Sequence, residues 1–225
     1  MARQMGGMRA IGLFGGSFDP VHIGHLRAAL DVFESLGLDE LRFIPASRSP
    51  GKPPPVAPGP IRKHWLEQAS RDVAGFSVDD RELRRGGESF TNETLIDIRH
   101  EIPHASLYWI LGADAFAGLG NWHEAETLGH LAHWVVITRP GFDLPSPLSG
   151  PSWLARPQTA NPRELRPGET GGVLALPVTP LAISASEIRS RIARGLRIDY
   201  LVPESIRAEL LDRHVYAANT KTHPA

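Results

Sequence analysis

"GLFGGSFDPVHIGHL", residues 12–26, places four glycines, one proline and two histidines directly after a short apolar run. A strand that ends in bare backbone and opens at once into a helix is the arrangement in which a parallel sheet meets an anion. Gly15 and Gly16 would let backbone N–H groups approach a phosphate without a Cβ in the way, and the following helix would offer its positive N-terminal end. A tight strand-to-helix turn with no ligand would use the same glycines. Three familiar signatures fail here. No register supplies G-x-G-x-x-G, no lysine follows the last glycine as in a P-loop, and the candidate nucleophile elbow at Ser17 ends in Asp19 instead of glycine.

What remains distinctive is His22-x-Gly24-His25. Two imidazoles three apart project from one side of the helix mouth, with Gly24 leaving room for a ligand oxygen. They would set two N–H donors, neutral or cationic, where charge builds on phosphate oxygens. A helix cap or surface role suits either histidine alone. A metal pair is the other alternative, for which no third ligand is identifiable.

Working outward, prolines divide the chain. Seven of the 20 lie between Pro45 and Pro60 and nine between Pro140 and Pro180, so both stretches read as loops and not as central strand or helix interior. Around them, short β-type runs alternate with helical patterns: "RAIGLF", "HLRAALDVFESLG", "LRFIPA", "IRKHWLEQASRD", "FSVDD", "TNETLIDIRHEI", "SLYWILG", "HEAETLGHL", "HWVVIT" and a weaker "GVLALPV". Two helices follow, from Ser184 to about Gly195 and from Pro203 to about Arg213. Strands alternating with helices predict an α/β fold: a doubly wound, mostly parallel sheet with helices on both faces and a small C-terminal helical subdomain. The expected organisation is a flexible leader over 1–8, a Rossmann-like core over 9–182, a helical part over 183–216 and a tail over 217–225.

Lys+Arg 24 against Asp+Glu 25 leaves a net charge of −1, which gives no global attraction to nucleic acid or an anionic membrane. No apolar run is long enough to span a bilayer, so a cytoplasmic protein without membrane or nucleic-acid partners is expected. With no cysteine, disulfides, thiolate metal sites and cysteine nucleophiles are excluded.

A second constellation lies far downstream in "ISASEIR", residues 183–189. Ser184-x-x-Glu187 is a capping box, which alone requires only that a helix begin there. Ser186 and Arg189, three apart, would add a hydroxyl and a guanidinium beside free backbone N–H groups, a second anion-binding helix terminus. Two such cradles at opposite ends of the chain suit a long polyphosphate such as that of ATP.

"GGSFDPVHIGH" together with "ISASEIR" resembles the HxGH nucleotidyltransferase superfamily. "RELRRGGESFTNETL", "LGADAF", "NWHEAETL", "ITRPG" and "GLRIDYLVPESI" are similar, in order, to stretches of the bacterial nicotinate-nucleotide adenylyltransferases. The departures are a more proline-rich "SPGKPPPVAPGP" loop, Ser89-Phe90-Thr91 where the family has S-Y-T, and residues 142–172, which have no clear counterpart.

The resemblance implies adenylyl transfer from ATP to nicotinate mononucleotide, releasing pyrophosphate and forming nicotinic acid adenine dinucleotide, an NAD precursor. It implies direct attack of the mononucleotide phosphate on the α-phosphorus, with Mg2+ accompanying ATP. His22, His25 and Arg189 would be catalytic. Gly15, Gly16, Ser17, Phe18, Gly24, Ser184 and Ser186 would line the ATP site. Lys52, Thr91, Gly112, Asp114, Trp122 and Arg139 would meet the remaining substrate groups: Trp122 stacking on the pyridine, Thr91 meeting its carboxylate, Asp114 accepting from ribose hydroxyls. Asp114 would equally serve as a helix N-cap, Trp122 as a core residue and Lys52 as a solvated loop lysine. Any protein partner would be another copy of the chain, in a homo-oligomer. His64, His100, His104, His123, His130, His133 and His214 read as surface or structural. Phosphopantetheine adenylyltransferase, which shares the HxGH chemistry, is the nearest competing enzyme. A nucleotide-binding module without turnover is the competing non-enzyme.

Overall fold

Strand-long alternation of apolar side chains to two faces is the signature of a sheet buried on both sides, and β1 (Ala10–Gly16) carries it. Ile11 and Leu13 point into one core and Phe14 into the other. The computed structural model describes residues 8–138, 154 and 158–217. The leader before Met8, the tail from residue 218 and Arg139 lie outside the described residues.

Six further strands complete the sheet: β2 (Glu40–Pro45), β3 (Phe76–Val78), β4 (Ser106–Gly112), β5 (His133–Thr138), β6 (Gln158–Thr159) and β7 (Val173–Pro177). Every pairing is parallel and the order is β3-β2-β1-β4-β5-β7-β6. Parallel neighbours need crossovers, and helices supply them. The first face is covered by α1 (Ile23–Leu36), α2 (Gly59–Ser70), α7 (Ala185–Ala193) and α8 (Glu204–Asp212), through Ala29, Val32, Trp65, Leu66, Ile188, Ile206 and Leu210. The second is covered by α4 (Thr91–Glu101), α5 (Ala113–Ala117) and α6 (Ala125–Leu128), through Leu95, Ile98, Phe116 and Leu128. The doubly wound expectation is met. Residues 183–216 pack into the same core as β1 and α1.

Some local expectations differ. The five-residue helix α3 (Arg81–Arg85) and α5 fall where no helix is predicted, and the helix expected over "HEAETLGHL" shrinks to α6. A helix shorter than two turns leaves too little periodicity to read. β6 forms inside the second proline-rich stretch, as a two-residue strand at the sheet edge, where proline neighbours interrupt no central ladder. The first stretch ends as expected, with Pro60 in the first turn of α2.

From β1 the chain winds out one way through β2 and β3, then returns to build β4, β5 and β7 on the other side. The carboxyl ends of β1 and β4 therefore flank a crevice, the place where an open α/β sheet binds ligands.

Candidate active site

His22 and His25 cap the mouth of α1 with each other. His22 is the N-cap residue, its backbone extended (φ −145, ψ 169), and its Nδ1 accepts the His25 N–H at 3.3 Å. In return the His22 N–H donates to His25 Nδ1 at 3.3 Å. This is a capping box built from imidazoles where serine and glutamate ordinarily serve. The rings stack with centroids 3.6 Å apart and planes 23° apart. With both Nδ1 atoms accepting backbone N–H groups, Nε2 is the position from which each ring can donate to a ligand. His22 is 2% exposed, and the edge of the His25 ring meets Phe14 and Phe18. Phe18 itself holds a left-handed backbone (φ 46), strained for a side chain with a Cβ.

The glycines have packing reasons of their own. A Cβ at Gly15 would lie 2.7 Å from the Trp109 ring and one at Gly24 3.1 Å from the His22 ring. The room expected at Gly24 for a ligand oxygen is therefore filled by the imidazole. A Cβ at Gly16 would come within 3.2 Å of the Phe18 ring. The first-turn amides are also partly committed, Ile23 N–H donating to the Leu201 carbonyl at 3.0 Å.

The second motif meets the first. Ser184 caps α7, its Oγ accepting from the Glu187 N–H at 3.2 Å and lying 3.3 Å from Ser186 Oγ. Glu187 turns to Arg191 at 3.7 Å, so only the serine half of the predicted box forms. Arg189 reaches across to donate to the Asp19 carbonyl at 2.7 Å, with the Asp19 carboxylate 3.8 Å away. The two motifs therefore adjoin beyond β1: Arg189 bonds the loop that leads to the imidazoles, and a Cβ at Gly24 would lie 3.7 Å from Ile183, the residue before Ser184. Imidazole, hydroxyl and guanidinium donors suited to phosphates thus come from neighbouring segments. Asp19, in the quoted motif but not among the predicted site residues, is the hub of this junction. It is 5% exposed and accepts from the Val56 N–H at 2.7 Å, the Ala57 N–H at 3.0 Å and the Tyr216 hydroxyl at 2.6 Å.

The opposite rim is built by α4 and the segment before α6. Thr91 opens α4, and its neighbours lock onto those of Trp122: the Phe90 and His123 rings lie 4.4 Å apart, and the Asn92 amide donates to Glu124 at 2.8 Å. His123, expected to be a bystander, belongs to this rim. Trp122 rests edge-on against Trp134 at 6.4 Å and is partly exposed. Gly112, at the end of β4, faces open space, since a Cβ there would meet nothing within 4 Å. It is also the N-cap residue of α5, which places the exposed Asp114 in the first turn with no cap bond, against the expectation of a capping aspartate. Lys52 is exposed on the loop between β2 and α2, where no described side-chain partner holds it.

Glu82, also missed from sequence, supports this rim from beneath. Only 4% exposed, it accepts from the Thr94 hydroxyl at 2.7 Å, and Arg85 donates to that hydroxyl at 2.6 Å. Ser89, which also bonds Glu82, accepts the Ser47 N–H at 2.9 Å. Burial pushes the Glu82 carboxyl above its usual range, against the hydrogen bonds from Thr94 and Ser89 and the nearby Arg85 charge. A raised folded value favours the protonated form, so its contribution to stability is full below the unfolded carboxyl range and is lost as pH rises through the folded value. Glu82→Gln, which cannot ionise, is expected to match wild type at acid pH and to exceed it at about pH 7.5. Urea midpoints at the two pH values measure this. A variant weaker at both would mean that the ionised form is the one held.

Comparison with known proteins shows the family. Residues 13–191 match the family model described as cytidylyltransferase-like. A protein of Methylococcus capsulatus named probable nicotinate-nucleotide adenylyltransferase is 43% identical over 204 residues, covering 90% of this chain and 97% of that one. One of the same name from Pseudomonas putida is 41% identical, covering 94% and 92%. Among solved structures, the Plasmodium falciparum nicotinic acid mononucleotide adenylyltransferase complexed with NaAD superposes with a TM-score of 0.71 at 18% identity, over 92% of this chain and 97% of that one. At that identity the likeness speaks for the fold alone. With the ordered sequence matches and the paired histidines already in place, the chain belongs to the cytidylyltransferase-like family and, within it, to the nicotinate-nucleotide adenylyltransferases.

Proposed function

We propose that this chain joins ATP and nicotinate mononucleotide into nicotinic acid adenine dinucleotide with release of pyrophosphate, a step of NAD biosynthesis. The observation that supports the reading is the stacked His22–His25 pair after β1, with Arg189, one turn beyond the Ser184–Ser186 cap, reaching back to Asp19 in the same loop. A mononucleotide phosphate is largely ionised near pH 7, so its oxygen can attack the α-phosphorus without a general base. One P–O bond forms, the bond to the pyrophosphate oxygen breaks, and the electron pair leaves with pyrophosphate. The protein's part is to align the groups and meet charge in flight. The Nε2–H groups of His22 and His25 serve the oxygens of the α-phosphate. Ser184, Ser186 and Arg189 serve the departing phosphates, and Gly15 to Phe18 form the floor.

Mg2+ is part of the proposal as the ATP complex. Among the described residues no three His, Asp or Glu side chains cluster into a cation site, and the ion would be held chiefly by phosphate oxygens.

The pyridine would lie on Trp122 with its carboxylate toward Thr91 at the amino end of α4. A helix N-terminus favours an anion over the neutral amide of nicotinamide mononucleotide, which argues for the nicotinate form. Among the described residues no helix is long and apolar enough to cross a membrane, and a cysteine-free chain using ATP suits the cytoplasm.

Pyrophosphate release from ATP and Mg2+ with nicotinate mononucleotide, nicotinamide mononucleotide and phosphopantetheine in parallel tests the reading. Release with the nicotinate form supports it; release with phosphopantetheine alone, or with none, overturns it. Gly112→Ala probes the open space at β4. With nothing there for a Cβ to strike, the melting temperature should hold within about 2 °C. If a substrate ribose occupies the space, its KM should rise on the order of tenfold, and an unchanged KM would put the sugar elsewhere.

A further inference from the structure

The Asp19 carboxylate sits beside Arg189 yet does not depend on it. Its oxygens are already met by two amides of the loop between β2 and α2, Val56 and Ala57, and by the hydroxyl of Tyr216, beyond α8. Tyr216 is 5% exposed and packs against Trp65, and burial beside the carboxylate keeps its phenol protonated, hence a donor. The buried guanidinium of Arg62 closes the unit, donating to the Ser17 carbonyl at 2.6 Å and the Ala57 carbonyl at 3.0 Å. Four remote parts of the chain therefore meet behind the phosphate mouth.

A carboxylate with too few neutral donors holds a neighbouring guanidinium; one that is fully hydrogen-bonded can release it. Resting on the adenylyltransferase reading, we propose that Tyr216 and Asp19 are positioning residues for adenylyl transfer. Together with the Val56 and Ala57 amides, the Tyr216 hydroxyl satisfies Asp19, leaving Arg189 available to the polyphosphate. The same bonds fix the loop that carries Lys52. Neither residue touches the substrates.

Tyr216→Phe removes one of the three donors and leaves the ring in place. Asp19 then draws on Arg189, and ATP must compete for it. The expected result is a kcat/KM for ATP lower by about tenfold, the scale of one hydrogen bond to a charged group, with the KM for nicotinate mononucleotide within about twofold. In an Asp19→Asn background, where no carboxylate retains Arg189, the same tyrosine change should have no further effect on ATP. Additive losses in the double variant would overturn the proposal. So would a single variant that loses thermal stability while keeping wild-type kcat/KM for ATP, or one that raises both KM values alike. Should Asp19→Asn fail to fold, the ATP-against-mononucleotide split in Tyr216→Phe decides alone. Wild-type protein assayed alongside separates the two levels: no dinucleotide from wild type defeats the adenylyltransferase reading itself.

Discussion

His25→Ala should lower kcat by about two to three orders of magnitude, the loss expected when a donor to a transition-state oxygen disappears. The structure adds a second, smaller cost. The His25 ring also accepts the His22 N–H and meets Phe14 and Phe18, so alanine sacrifices a cap worth about 1 kcal/mol and loosens the ring stacked on it. The two costs separate with a second variant. In His25→Asn the amide oxygen takes the position of Nδ1 and can accept the His22 N–H, but nothing replaces Nε2. Asparagine should therefore recover most of the stability and little of the turnover. Single-turnover rates with ATP and nicotinate mononucleotide, read beside urea midpoints, measure both. An asparagine variant that turns over like wild type would reduce His25 to a cap.

The largest stability effect should come from Arg62→Met. Arg62 is 2% exposed, burial pushes its guanidinium below the ordinary value, and the Asp19 and Tyr216 groups act against that shift. Methionine fills similar volume but strands the Ser17 and Ala57 carbonyls and leaves Asp19 without its buried counter-charge. Breaking such a unit from one side costs about 3–5 kcal/mol, where an exposed pair would cost about 1 kcal/mol or less. For a chain of this size that corresponds to a fall in Tm on the order of 10 °C. Thermal unfolding followed by circular dichroism reads it directly. A fall of only about 2 °C would mean that the Val56 and Ala57 amides and the Tyr216 hydroxyl hold Asp19 without Arg62.

The parts of this molecule that were legible in the sequence are those whose cause is local. The glycine-rich end of β1, the helix opened by His22 and the cap at Ser184 each write their geometry into a few consecutive residues. The alternation that makes β4 and β5 two-faced is equally local. What stayed hidden depends on partners far away. Asp19 lies in the most readable motif of the chain, but its role is set by Val56, Ala57 and Tyr216, and no spacing rule links these. Glu82 looks like one more charge in the charge-rich stretch around it until its burial against Ser89 and Thr94 is seen. The cap reading offered for Asp114 was off by two residues, because α5 follows β4 directly with Gly112 as its N-cap and so begins earlier than aspartate capping would require. His123 gave no signal, since its place on the rim follows from Phe90 on another element.

The dependence of the phosphate mouth on both ends of the chain bears on how the protein is born. Synthesis proceeds from the amino end, so the His22–His25 turn and Asp19 leave the ribosome long before Arg189 and Tyr216 exist. Until they arrive, Asp19 lacks its third donor and the mouth lacks its guanidinium. A nascent chain halted between β7 and α7 could form the paired strands of the sheet but would hold an incomplete nucleotide site. On the proposed reading, nucleotide affinity would be a late acquisition, gained when the last helices dock.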